Sequence, residues 1–163
     1  MSLVTQIHNL AKQNGIMIAT AESCTGGMVM AALTDIAGSS AVAECGFVTY
    51  TNNAKTQMLG VSDATLDACG AVSEQVAAEM AKGALRNSEA TLSVSITGIA
   101  GPGGGSDHKP EGRVCFGIAD NKNCLTETVE FGALGRSNVR GSARDHALKM
   151  LLDRLAQNSR INP

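Results

Sequence analysis

Tryptophan is absent, tyrosine occurs once and phenylalanine three times, so the 163 residues offer few rings on which bases stack. Thirteen Lys and Arg against fifteen Asp and Glu leave a net charge of −2, with no excess of basic side chains for a phosphate backbone. Together these absences argue against nucleic acid as a partner and favour a small one. No apolar run approaches the ~20 residues of a membrane span. The first fifteen residues also lack the apolar core of a secretory signal, so the expected location is the cytoplasm, off the membrane. The five cysteines (Cys24, Cys45, Cys69, Cys115 and Cys124) are odd in number, form no CxxC pair and have no histidine at zinc-finger spacing. Neither a disulfide framework nor a structural metal is expected.

What is there is ample apolar material, 44% of the residues, for one core. With aromatics scarce, Ala, Val, Ile, Leu and Met must fill it, which suits closely layered α/β packing. No linker or repeat divides the chain, so residues 1–163 read as one domain.

Apolar residues at positions 3, 4, 7, 10 and 11 make a helical stripe that Gly15 ends. Residues 16–21 read as a strand, and 28–36, apolar nearly all round, as a buried helix. Residues 44–51 read as a second strand followed by a helix that stops at Gly60. Ser73 sits where it can cap a helix running to residue 85, and 91–97 is a buried β-branched strand. Residues 98–112 are rich in glycine and carry two of the three prolines, which marks a loop. Two strands, 113–119 and 125–131, flank the hairpin signal Asp120-Asn121-Lys122-Asn123, and 136–156 reads as a long last helix turning Val139, Ala143, Ala147, Met150 and Leu151 inward. The order α-β-α-β-α-α-β-β-β-α mixes crossovers with a hairpin. It predicts a three-layer α/β/α fold, a mixed sheet with helices on both faces.

In such folds chemistry gathers in the loops beyond the carboxyl ends of the strands. Three are loaded here: 21–27 with Glu22, Ser23, Cys24 and Thr25, 50–55 with Tyr50 and Lys55, and 98–105 with its glycines. The first puts a hydroxyl where a strand turns into a helix, whose N-terminus can hold an oxyanion or a phosphate. Residue types alone leave plainer roles open: Ser23 or Thr25 as a helix cap, Lys55 as a solvated helix lysine, the glycine loop as a lid or connection. The loop matches neither a Walker A nor a dinucleotide fingerprint.

The segments TAESCTGG (20–27), TDIAGSS (34–40), GFVTYTNNAK (46–55), LGV (59–61), GAVSE (70–74), SITGIAGPGGG (95–105) and KPEG (109–112) together resemble the CinA C-terminal domain family, in that family's order and over essentially the whole chain. The molybdopterin-binding-like domain that precedes this module in longer members is not in the sequence, so the resemblance implies the stand-alone form. It further implies hydrolysis of nicotinamide mononucleotide to nicotinate mononucleotide and ammonia, a pyridine-nucleotide salvage reaction without metal or cofactor, in a homo-oligomer. Residue by residue it assigns the nucleophile to Ser23, its lysine partner to Lys55 and a supporting tyrosine to Tyr50, which can orient Lys55 or relay its proton. Thr25, Gly26, Gly98 and Gly101 fall to substrate binding.

A lysine desolvated in an apolar cleft has a lowered pKa and can take the proton of an attacking serine, so the assignment is chemically sound. Cys24 is the rival nucleophile, without a histidine nearby in sequence. For the 5′-phosphate, Arg136 and Arg140 lie early in the last helix, where a cation opposes the macrodipole, though a solvated stripe with Arg144 is an equal reading. The family's Gly-x-Arg-x-x-Val-Arg is displaced here to Leu134-Gly135-Arg136-Ser137-Asn138-Val139-Arg140, so Arg140 is the arginine that keeps its place. Asp107, His108 and Lys109 read as a solvated turn, and His8 and His146 as helix residues without a catalytic role. A non-catalytic ligand-binding module is the second reading, disfavoured by the retention of Ser23, Tyr50 and Lys55 together. A metal hydrolase would need convergent histidines or carboxylates.

Overall fold

The computed structural model describes residues 1–161, with side chains to residue 158. α1 (Leu3–Gln13) starts where Ser2 Oγ accepts the Thr5 N–H, and Gly15 follows at φ 62°. β1 (Ile18–Glu22), α2 (Met28–Thr34) and β2 (Ala43–Val48) come next, then α3 (Asn52–Leu59), α4 (Asp63–Cys69) and α5 (Glu74–Arg86). β3 (Leu92–Gly98), β4 (Arg113–Asp120), β5 (Cys124–Glu130) and α6 (Arg136–Ile161) complete the described chain.

The sheet order is β2-β1-β3-β4-β5, with the first three strands parallel and the last two antiparallel additions. α1, α2 and α6 cover one face over Ile18, Val94, Ile96 and Phe116; α5 covers the other, packing Val76 and Met80 against Ala19 and Ala21, with α3 and α4 beside it. This is the expected three-layer arrangement. Every residue of β1 is buried, as a central parallel strand requires. β3 alternates apolar side chains with hydroxyls, and the hydroxyls are satisfied by α5 and the loop before it: Ser93 and Ser95 donate to Ala81 O and Ala77 O, and Thr97 to Ala71 O.

Two expectations fail for physical reasons. No pattern in the sequence marks α4, because seven residues are too few for a periodic stripe; only its cap, Ser62 Oγ accepting the Thr65 N–H, and Gly70 after it mark its ends. α2 is not buried all round. It lies over the sheet edge formed by β2, so it buries Val29 and Leu33 while Ala31 faces solvent.

Gly83 sets the distance between α3 and α5, since a Cβ there would stand well inside van der Waals contact of the Leu59 carbonyl oxygen. Gly83→Ala should therefore destabilise the fold by the ~1–3 kcal/mol typical of overpacking and lower the thermal midpoint, despite alanine's better helix propensity. An unchanged midpoint in a circular-dichroism melt would show that the two helices separate freely.

β1 connects to β2 on one side, over one face, and β2 returns to β3 on the other side of β1, over the opposite face. The order thus reverses between β1 and β3, where departing loops leave a crevice at the carboxyl ends.

Candidate active site

Ser23 follows β1 directly, and its N–H donates to Ile96 O of β3 at 2.9 Å, so it stands in that crevice. Thr51 caps α3 by accepting the Ala54 N–H, which brings Lys55 one turn into the helix and back toward the sheet. Lys55 is 1% exposed, and its Nζ lies 3.0 Å from Ser23 Oγ and 2.8 Å from Thr49 O. Burial pushes its pKa below the ordinary lysine value, outweighing the opposing charge interaction with Cys24. The plain reading of Lys55 as a solvated lysine is therefore wrong.

A cleft of about 350 Å³ opens on this pair, lined also by Tyr50, Asn52, Thr97, Gly98, Gly101 and Arg136. The glycine loop forms one wall. Gly101 has φ 80°, and a Cβ on it would collide with the Glu111 carboxylate, whose Oε1 accepts the Gly103 N–H at 2.6 Å. Glu111 thus sets the loop's shape, and only glycine fits beside it. Lys109 ties the same loop to Cys69 O, whereas Asp107 and His108 are exposed.

Other expected site residues lie elsewhere. Neither Ser23 nor Thr25 caps α2, whose N-cap is Gly27 without a side-chain bond. The cap comes from Glu22, fully buried, whose Oε1 accepts the Val29 N–H at 2.9 Å and Oε2 the Met30 N–H at 3.1 Å. That carboxylate occupies the Val29 and Met30 N–H groups, so these two donors of the α2 N-terminus are not offered to an anion. Thr25, Gly26 and Arg140 are not on the cleft wall. Arg140 Nε donates to Cys24 O at 2.9 Å and its Nη2 approaches Thr25 O at 3.4 Å, so this guanidinium braces the serine loop.

The positions of the two arginines reverse the sequence expectation. Arg136 reaches the cleft, donating to Gly101 O at 2.9 Å and to the Tyr50 hydroxyl, because the long α6 starts at that residue despite the shifted glycine. Tyr50 is 56% exposed and holds Arg136, whereas the hydrogen bonds of Lys55 go to Ser23 and Thr49; the role of orienting Lys55 is not Tyr50's. Cys24 is 4% exposed, and burial pushes its thiol up to about 11, a protonated and unreactive sulfur. His8 bonds Leu33 O and His146 pairs with Glu127, both away from the cleft. Among the described residues no group of three or more His, Cys, Asp or Glu could hold a metal ion, and no helix is long and apolar enough to cross a membrane.

A three-layer α/β/α domain with a buried serine and lysine in hydrogen-bond contact at a topological switch point has the layout of a nucleophilic hydrolase. The chain belongs to the CinA family: the CinA C-terminal domain model matches residues 1–155. It is 48% identical over 159 residues, 98% of this chain and 96% of the relative, to the nicotinamide-nucleotide amidohydrolase PncC of Escherichia coli K12. A CinA-like protein of Chloroherpeton thalassium is 55% identical over 119 residues, 73% of this chain and 28% of that longer protein. The crystal structure of the competence/damage inducible protein CihA from Agrobacterium tumefaciens superposes with a TM-score of 0.91 at 49% identity, covering 93% of this chain and 92% of that one.

Proposed function

We propose that this protein hydrolyses the carboxamide of nicotinamide mononucleotide to nicotinate mononucleotide and ammonia, through an acyl-enzyme on Ser23. The single observation that carries the mechanism is the buried Lys55 Nζ held 3.0 Å from Ser23 Oγ with its pKa lowered. The substrate comes from the near full-length relatives of Escherichia coli and Enterobacter agglomerans, both named nicotinamide-nucleotide amidohydrolase.

Neutral Lys55 takes the Ser23 proton as Oγ attacks the carboxamide carbon, and the resulting ammonium returns that proton to the amide nitrogen as the C–N bond breaks. Ammonia leaves, and an ester remains on Ser23. Water then attacks the ester with Lys55 again accepting its proton, and collapse gives the carboxylic acid and regenerates the serine. Thr49 O fixes the amine so that its lone pair can address Oγ. The reaction needs no metal or cofactor, so turnover should be unchanged by EDTA. The whole chain acts as one unit in this reading, in the cytoplasm and in pyridine-nucleotide salvage, and as a homo-oligomer.

Arg136 is the phosphate ligand in this reading. Its two cleft bonds use part of a five-donor fork, and the first turn of α6 adds the positive end of a helix dipole. Arg136→Ala should raise KM about 10- to 100-fold for nicotinamide mononucleotide, the worth of a charge-assisted bond, and little for nicotinamide riboside. Arg140→Ala should impair both substrates alike, because it loosens the serine loop. Ammonia-release kinetics on the two substrates check this; equal losses in Arg136→Ala would remove it from the phosphate.

A further inference from the structure

We propose that Glu22, which makes no contact with the cleft, is the positioning residue that fixes the Ser23–Lys55 pair. The inference rests on the reading of Ser23 as nucleophile and Lys55 as base.

Glu22 is unusual in what it joins. It is the last residue of β1, fully buried, and its side chain caps α2 from five residues before the N-cap. Three donors converge on its carboxylate: the Val29 and Met30 N–H groups and, at 3.1 Å, the Thr20 hydroxyl from the same face of β1. Three donors around one buried carboxylate leave it a single orientation. Gly27 cannot cap α2 itself, so the turn between Ser23 and the helix depends on this acid for its closure.

The main chain of Glu22 reaches both partners of the pair. On one side its peptide continues into Ser23, whose N–H is pinned to Ile96 O. On the other its carbonyl accepts the Thr49 N–H at 2.9 Å, and Thr49 O in turn accepts from Lys55 Nζ. The positions of the nucleophile and of the base are therefore set through one residue. Arg140 clamps the far side of the same turn at Cys24 O and Thr25 O. Serine attack needs the pair held to a fraction of an ångström, and a loosened turn should slow the chemical step while leaving the nucleotide contacts at Arg136 in place.

Glutamine at position 22 would present an amide to two helix N–H groups and lose one of the two acceptors. Glu22→Gln should lower kcat about 100-fold with KM within about twofold of wild type, as a small misplacement of reacting groups does. The rate at which a fluorophosphonate, which does not need the nucleotide subsite, labels Ser23 should fall in parallel. Thr20→Val, which removes only the hydroxyl that orients the carboxylate, should give a smaller drop in the same direction. If Glu22→Gln fails to unfold cooperatively in a thermal melt, Thr20→Val at an unchanged midpoint carries the test. Wild-type kcat and labelling in a folded Glu22→Gln, beside an inactive Ser23→Ala, would overturn the proposal alone. Activity surviving in Ser23→Ala would remove it together with the reading it rests on.

Discussion

Ser23→Ala is expected to lower ammonia release from nicotinamide mononucleotide by about four orders of magnitude or more, the usual scale when a nucleophile is removed from a covalent mechanism. The protein should stay folded. Ser23 caps no helix, and the substitution removes one side-chain hydrogen bond, from Lys55, at a cost of about 1 kcal/mol. A thermal midpoint close to wild type combined with lost turnover separates chemistry from stability. Cys24→Ala should keep near-normal activity, because a buried thiol whose pKa is pushed up to about 11 is not a thiolate at working pH. Retained activity in Ser23→Ala with inactivity in Cys24→Ala would transfer the nucleophile to the sulfur.

Lys55→Arg is expected to fail as completely as Lys55→Ala, since a guanidinium stays protonated at any working pH and cannot take the serine proton. The longer, forked head would also have to fit where the structure seats a side chain of 1% exposure. The pH dependence has a definite sign. Only the neutral amine is a base, so kcat/KM must rise with pH and level off above the Lys55 pKa. Burial lowers that pKa and brings the plateau toward neutrality. Near-wild-type activity in Lys55→Arg would mean that the position supplies only a fixed positive charge.

The fold was largely legible because its signals are local and repeated. The apolar stripe ended by Gly15, the Ser73 cap of α5 and the turn residues at 120–123 each agree with the element they mark. α4 was not, since seven residues hold too little pattern against a cap and a glycine. The half-exposure of α2 could not be read either, because it depends on β2 being an edge strand, a property of the whole sheet.

At the site, the sequence brought Ser23 and Lys55 forward through motif resemblance, and the structure places them in contact across 32 positions. It misjudged the arginines. Spacing put both at the start of the last helix, but the choice between cleft and brace is made where α6 crosses the serine loop, giving Arg136 the cleft and Arg140 the loop carbonyls. The capping role of Glu22 is not legible in the sequence, because an acid ahead of a helix normally caps from one residue before it, not from the end of the preceding strand. The absence of any nearby cation in sequence was the available hint that a buried acid there needs backbone donors.

The most direct test of the account is kcat/KM for ammonia release from nicotinamide mononucleotide by the purified protein, measured across pH in the presence of EDTA. The account predicts turnover that climbs with pH on a single ionisation lying below the ordinary lysine value of about 10.4 and then levels off. Absence of ammonia release at every pH, or a rate that nowhere rises with pH below that value, would contradict it.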